Sequence, residues 1–266
     1  MPFNRTAWTA LIDDDTSNTV GTLWTKTKIS DVMAPVIQTT TLTGAQNNFA
    51  LTADCRYLYC NNASLVTFTG FSAGYDGQLL QVVSMNAAGQ VALTPQSGSS
   101  TAANRFLNFA TVGNTMLAAN SGTADFTYDA TAARWRLTNH QQGAWISPAY
   151  AGTDYTSPTG TWVVGAGDVI AAAYLLSGRT LQIRVWVGST DVTGTPVTLN
   201  RVIPGGYTAA GGDPAGLTRC NDAGASVAGL CQCAGTAMLF YSTTAGGGWT
   251  AGANRAIEVV KTIEVT

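Results

Sequence analysis

Apolar and polar residues alternate along most of this chain in short runs that turn-forming residues interrupt. From Ser64 to Leu137 the runs read SLVTFTGF, GQLLQVVS, GQVAL and, later, TADFTYDATAARWRL, each bounded by Gly, Asn or Asp. A period of two with this punctuation predicts half-buried strands. Strands are expected at Arg56 to Cys60, Leu65 to Thr69, Gln78 to Met85, Gln90 to Thr94, Phe106 to Ala110, Ala124 to Tyr128 and Arg134 to Leu137. Asn61-Asn62, Asp76-Gly77, Gly89, Asn120-Ser121-Gly122 and Asp129 supply the positive φ or the side-chain bonds that tight turns need. The clearest strand lies further on, where Leu181, Ile183, Val185 and Val187 share one face and Gln182, Arg184 and Trp186 the other. Val197 to Ile203, Met238 to Ser242 and Ile257 to Val265 continue the pattern. No segment sustains the helical period with caps, and no internal repeat stands out. The expected fold class is all-β.

Three zones follow from the distribution of these runs. Residues 1–35 carry Trp8, Leu11, Ile12, Leu23, Trp24 and Ile29 but too few apolar groups for a core of their own. They read as an arm that orders by docking, with those six residues as anchors, or else as a strand and loop packed on their own domain. Residues 36–141 form a β-rich domain of sandwich, prism or barrel type, and residues 142–266 a β-sandwich of jelly-roll character. Within the latter, Pro204 to Gly235 is rich in Gly and Ala and reads as an exposed loop excursion.

Composition changes this picture in one respect. Only 11% of the 266 residues are charged while 45% are hydrophobic, which excludes disorder and suggests a surface covered by copies of the chain or by neighbours. A net charge of −2 offers no footprint for phosphates, so nucleic acid is not an expected partner. The start, MPFNRTAWTALIDDD, has no apolar signal core, and the most apolar segment, Val163 to Leu176, is cut by Gly165, Gly167 and Asp168. Neither export nor membrane insertion is expected from this. With no export signal, Cys55, Cys60, Cys220, Cys231 and Cys233 are expected as buried free thiols.

Candidate chemistry is sparse. His140 is the only histidine, and in Asn139-His140-Gln141-Gln142 it reads as part of a polar linker between two zones. Asp13-Asp14-Asp15 imitates the start of a calcium loop, but Asn18 and Trp24 stand where Gly and Glu are required. Cys231-Gln232-Cys233 has the wrong spacing for zinc. Asp76, Asp125, Asp129, Asp154 and Asp168 could supply a glycosidase pair, yet Asp at turns is usually chosen for its local hydrogen bond. No cofactor, metal or catalytic set is expected. Trp135 and Trp186 read as core or subunit-contact residues, and Tyr150, Tyr155 and Tyr207 as candidate ligand contacts, which a host receptor would meet, should the chain have one, since flat rings complement sugar faces.

Several segments, namely AWTALIDDD, VGTLWTKTKI, LTGAQNNFAL, CNNASLVTFTGF, DGQLLQVVS, STAANRF, TYDATAARWRL, QGAWI, GDVIAAAYLLSGRTLQI, TGTPVTL and VIPGGY, resemble a group of tailed-bacteriophage virion proteins. These are trimeric tail-fibre, spike or capsid-decoration components. The resemblance implies a non-enzymatic structural role on the virion surface, as a homotrimer made in the bacterial cytoplasm. The N-terminal arm would bind other virion proteins of the capsid or the tail, and the C-terminal domain would lie outermost. A host glycan or protein is then the expected target, with a cement protein of the head or a polysaccharide depolymerase as the alternatives.

Overall fold

The computed structural model describes residues 35–211 and 213–266. The six anchor candidates from Trp8 to Ile29, and the Asp13–Asp15 run, lie outside the described residues. What is described is an all-β protein with only short 3-10 turns besides its strands.

The first half contains β1 (Val36–Thr40), β2 (Gly44–Gln46), β3 (Cys55–Cys60), β4 (Val66–Phe68), β5 (Leu79–Ser84), β6 (Val91–Leu93), β7 (Phe106–Leu107), β8 (Thr115–Leu117), β9 (Thr123–Asp129) and β10 (Arg134–Gln141). The chain alternates between two sheets, a six-stranded one ordered β1-β3-β5-β9-β10-β7 and a four-stranded one ordered β2-β4-β6-β8. Because β1, β3 and β5 pair in parallel, as do β2, β4 and β6, the first six strands make three stacked rungs. Equivalent positions line up in columns: Gln38, Leu58 and Val82; Thr40, Cys60 and Ser84; Gln46, Phe68 and Leu93. A structural repeat therefore exists where the sequence suggested none. Its members share pattern rather than identity, and only the stacking of neighbours reveals it.

The rungs bury Leu58, Leu80, Val82, Val66, Phe68, Val91 and Leu93 between the two sheets, joined by Phe71, Phe106, Phe126 and Trp135. Phe71 sits among these rings, 4.8 Å from Phe106 and 6.2 Å from Trp135 between centroids. Trp135 is a core residue, and its indole N–H donates to the Ser72 carbonyl at 3.0 Å. At the corner between sheets, Gly89 leaves no room for a side chain, because a Cβ there would lie 1.7 Å from the Asn62 carbonyl oxygen. Strands β8 and β9 then run antiparallel to β6 and β5 and end the stack on that side.

The second half contains β11 (Tyr155–Thr156), β12 (Thr161–Val163), β13 (Val169–Ser177), β14 (Thr180–Thr193), β15 (Leu199–Val202), β16 (Gly216–Asp222), β17 (Ala225–Ala234), β18 (Ala237–Tyr241) and β19 (Gly252–Glu264). One nine-stranded sheet runs β11-β15-β18-β17-β16-β19-β14-β12, with β13 paired to β14 beside it. Its two ends curl towards each other, so that Tyr155 of β11 meets Trp162 of β12 edge to face at 5.3 Å. The expected two-sheet jelly roll is thus replaced by a single, nearly closed barrel-like sheet. Closure removes most of the exposed edge that a sandwich would keep.

Pro204 to Gly235 is not a loop excursion. Strands β16 and β17 form a hairpin in the middle of the barrel sheet, joined at Asp222 and Ala225 by a two-residue turn with Ala223 at φ 53° and Gly224 at φ 85°. Their inward positions are Thr218, Cys220, Gly229, Cys231 and Cys233, small groups that hide the alternation from a hydrophobicity reading. The small size has a cause: a Cβ on Gly229 would lie 2.2 Å from the Tyr241 carbonyl oxygen. All five cysteines are buried free thiols. Burial pushes the Cys60 and Cys220 thiols up to about 12, which leaves them unreactive.

The two halves share packing. Ala92, Ala110, Met116 and Ala118 belong to the barrel's apolar cluster, and Tyr207 donates its hydroxyl to the Asn114 carbonyl. Gln142, 1% exposed, donates to the Ala144 and Tyr174 carbonyls and accepts from the Leu176 N–H. His140 is likewise buried, with Nε2 2.9 Å from the Met116 carbonyl oxygen. The polar-linker reading of this segment gives way to a buried joint, because β10 carries it between the halves as an ordered strand.

Candidate functional site

Strands with one face in a barrel core normally place apolar groups inward. Three cations break that pattern here. Arg201 shares its face with Leu199, while Arg255 and Lys261 share theirs with Ile257, Val259 and Ile263; all three are buried. A buried cation is tolerated when paired and hydrogen-bonded. Arg255 places Nε 2.8 Å from Asp222, and its guanidinium also donates to the Thr250, Ala251 and Ala253 carbonyls. Lys261 lies 3.1 Å from Asp213 and donates to the Pro214 carbonyl.

Arg201 has no such company. It is 2% exposed, its Nε and Nη1 have no hydrogen-bond partner, and no carboxylate among the described residues lies in ion-pair range. Its guanidinium sits 5.7 Å over the Tyr155 ring, its direct cross-strand neighbour in the β11–β15 pair. The ring's negative face offsets part of the charge but leaves the N–H groups without acceptors.

This arginine lines a pocket of about 230 Å³ at the β11 end of the barrel, together with Ser147, Tyr150, Asp154, Tyr155 and Ile170. Tyr155 is buried and Tyr150 is 45% exposed at the mouth, with the two rings stacked at 6.3 Å and 23°. The Tyr150 hydroxyl donates to the Val164 carbonyl, which fixes its ring. Asp154 closes the short 3-10 turn Gly152–Asp154 that leads into β11.

Of the three tyrosines expected to meet a receptor, the pocket unites Tyr150 and Tyr155. Tyr207 is fully buried, with its hydroxyl bonded internally, so it is a core residue and offers no surface to a partner. Burial also pushes its phenol well above the usual range. Trp186 is half-buried on the outer face beside Arg219 and Glu258. The aspartates considered as a glycosidase pair do not converge on this pocket. Asp76 accepts from the Ala130 N–H, Asp125 from Gln81 and Asn139, and Asp168 from the Gly165 N–H. Asp129 accepts from the Ala132 N–H and pairs with Arg136, and those bonds, the backbone one first, hold its carboxyl below the usual range. Asp154 is the one that lines the pocket.

Arg201 was not singled out from sequence, although a signal was present. In Leu199-Asn200-Arg201-Val202-Ile203 it falls in phase with Leu199 and Ile203, a charge on the core face of a strand. Among the described residues no group of three or more His, Cys, Asp or Glu is placed to hold a metal, and no helix is long and apolar enough to cross a membrane. No protein-family model matches the chain, and no curated protein matches it.

Proposed function

We propose that this chain is a non-enzymatic structural protein of a bacteriophage virion surface, a homotrimeric fibre or spike whose C-terminal barrel attaches to the host. The observation that carries this reading is the pocket around Arg201, Tyr150 and Tyr155, which lies on the domain that the resemblance to virion proteins would put outermost. Its chemistry is that of binding: a fixed cation, two stacked rings and a single carboxylate, with no nucleophile and base in contact. Residues 1–35 act as the arm that joins the particle.

Self-association has its own support on the barrel's outer face. Leu217 on β16 and Val260 on β19 are 73% and 66% exposed, both two residues beyond the paired Arg219 and Glu258, and Leu230 and Tyr241 extend the row from Leu217 across β17 and β18. A contiguous apolar row of this kind marks a contact surface. Light scattering of the purified protein should give the mass of three chains, and Leu217→Glu with Val260→Glu should shift it to one. A monomeric wild type would remove the trimer from the proposal.

Purified full-length protein should block adsorption of the phage to its host cells. No binding to those cells, together with label found only on the capsid shell, would assign it instead to cementing the head.

A further inference from the structure

We infer that the Arg201 pocket binds a carboxylated sugar, a hexuronic acid or a related sugar acid exposed on a surface glycan. This inference rests on the attachment reading above and names the ligand class of the same site.

The argument starts from an imbalance. Arg201, Arg255 and Lys261 are all buried, yet Asp222 and Asp213 serve the last two, while among the described residues the first has a tyrosine ring but no carboxylate in ion-pair range. An uncompensated buried cation destabilises a fold, so a barrel that keeps one retains it for a group that arrives from outside. That group must be an anion with acceptor oxygens, and a carboxylate matches a planar guanidinium.

The other walls narrow the class. Tyr150 presents a half-exposed ring, backed by the buried Tyr155 and held by its hydroxyl bond, and such a face packs against the apolar face of a pyranose. Asp154 and Ser147 add acceptor oxygens for ring hydroxyls, a task that a bare anion would not use. The Asp154 carboxylate also opposes a dianion, which favours a singly charged carboxylate over phosphate. At about 230 Å³ the pocket is below the range of drug-sized sites, so it seats one terminal or branch sugar and not a long stretch of chain.

The test uses full-length protein, with glucuronic acid, glucose and inorganic phosphate as probes followed by ligand-observed NMR and calorimetry. Glucuronic acid should bind about ten- to a hundredfold more tightly than glucose, the range expected for hydrogen bonds to a charged group. Arg201→Met should erase that preference while the thermal melt stays cooperative. Tyr150→Ala should weaken both sugars by a similar factor, because it removes stacking and leaves the charge. Equal binding of the two sugars by the wild type, or tighter binding of phosphate, would overturn the inference, and neither result depends on a variant folding. Host-cell binding measured in parallel separates the two readings. Protein that binds cells without preferring glucuronic acid sinks this inference alone, and protein that prefers glucuronic acid yet fails to block adsorption sinks the attachment role alone.

Discussion

Two arginines occupy the barrel's inward face in opposite circumstances. Arg255 is closed in by Asp222 and three backbone carbonyls, and so ties β19 to the turn before it and to the end of β16. Arg201 has a tyrosine ring beneath it, a pocket beside it and unpaired N–H groups. Burial alone therefore says little about what a charged side chain does. The state of its hydrogen bonds separates a cation bonded into the structure from one whose bonds are unmade.

Substitution should split the pair most sharply. Arg255→Ala leaves Asp222 and several carbonyls without their donor and is expected to cost about 3–5 kcal/mol. Arg201→Met removes a charge that no carboxylate among the described residues compensates, so stability should hold or rise. Urea midpoints of the full chain measure both, and a large loss for Arg201→Met would mean that the arginine is structural after all.

A second contrast sets the stacked rungs against the barrel. Gly89→Ala forces a methyl against the Asn62 carbonyl oxygen, where rungs meet most closely, and should cost about 1–3 kcal/mol or more. Adding the same methyl at Gly178, where nothing lies within 4 Å but φ is +59°, should cost only the strain of that backbone, about 1 kcal/mol. Thermal melts of the two variants compare steric exclusion with conformational preference.

A smaller effect should follow acidification. Burial holds the His140 pKa below its ordinary value, with the Met116 carbonyl only partly offsetting that. As pH falls below about 6.5 the unfolded chain takes up this proton before the folded one, so stability is full above that pH and declines beneath it. The melting temperature should drop by a few degrees between about pH 6.5 and 5, and His140→Gln should flatten that part of the profile. Smallest of all is the exposed Arg219–Glu258 pair, 3.3 Å apart on the outer face. Arg219→Ala should change stability by less than about 1 kcal/mol.

Much of the fold was legible wherever inward positions are large and apolar. The alternation puts Leu181, Ile183, Val185 and Val187 on one face, and all four are fully buried. The seven strands expected between Arg56 and Leu137 all have counterparts, with shorter bounds at Phe106–Leu107 and Val91–Leu93. Strands whose inward residues are Gly, Cys or Thr escaped, as β16 and β17 show. Half of the candidate site was legible too. Tyr150 and Tyr155 stand out by their chemistry, Arg201 shows only as a charge in phase with Leu199 and Ile203, and Tyr207 is buried where a surface contact is expected, because tyrosine type does not distinguish core from contact.

By itself the sequence determined what is local: strand periodicity, and turn chemistry at Asn, Asp and Gly. These depend on neighbours two or three residues away, so they survive without a fold. Tertiary structure alone decided that the first strands stack as parallel rungs, that the last nine curl into one barrel, and that Arg201 is the inward cation with no carboxylate partner among the described residues. Each of those facts is a pairing between distant segments, and which segments pair is settled by the global burial of apolar faces, not by any short run of residues.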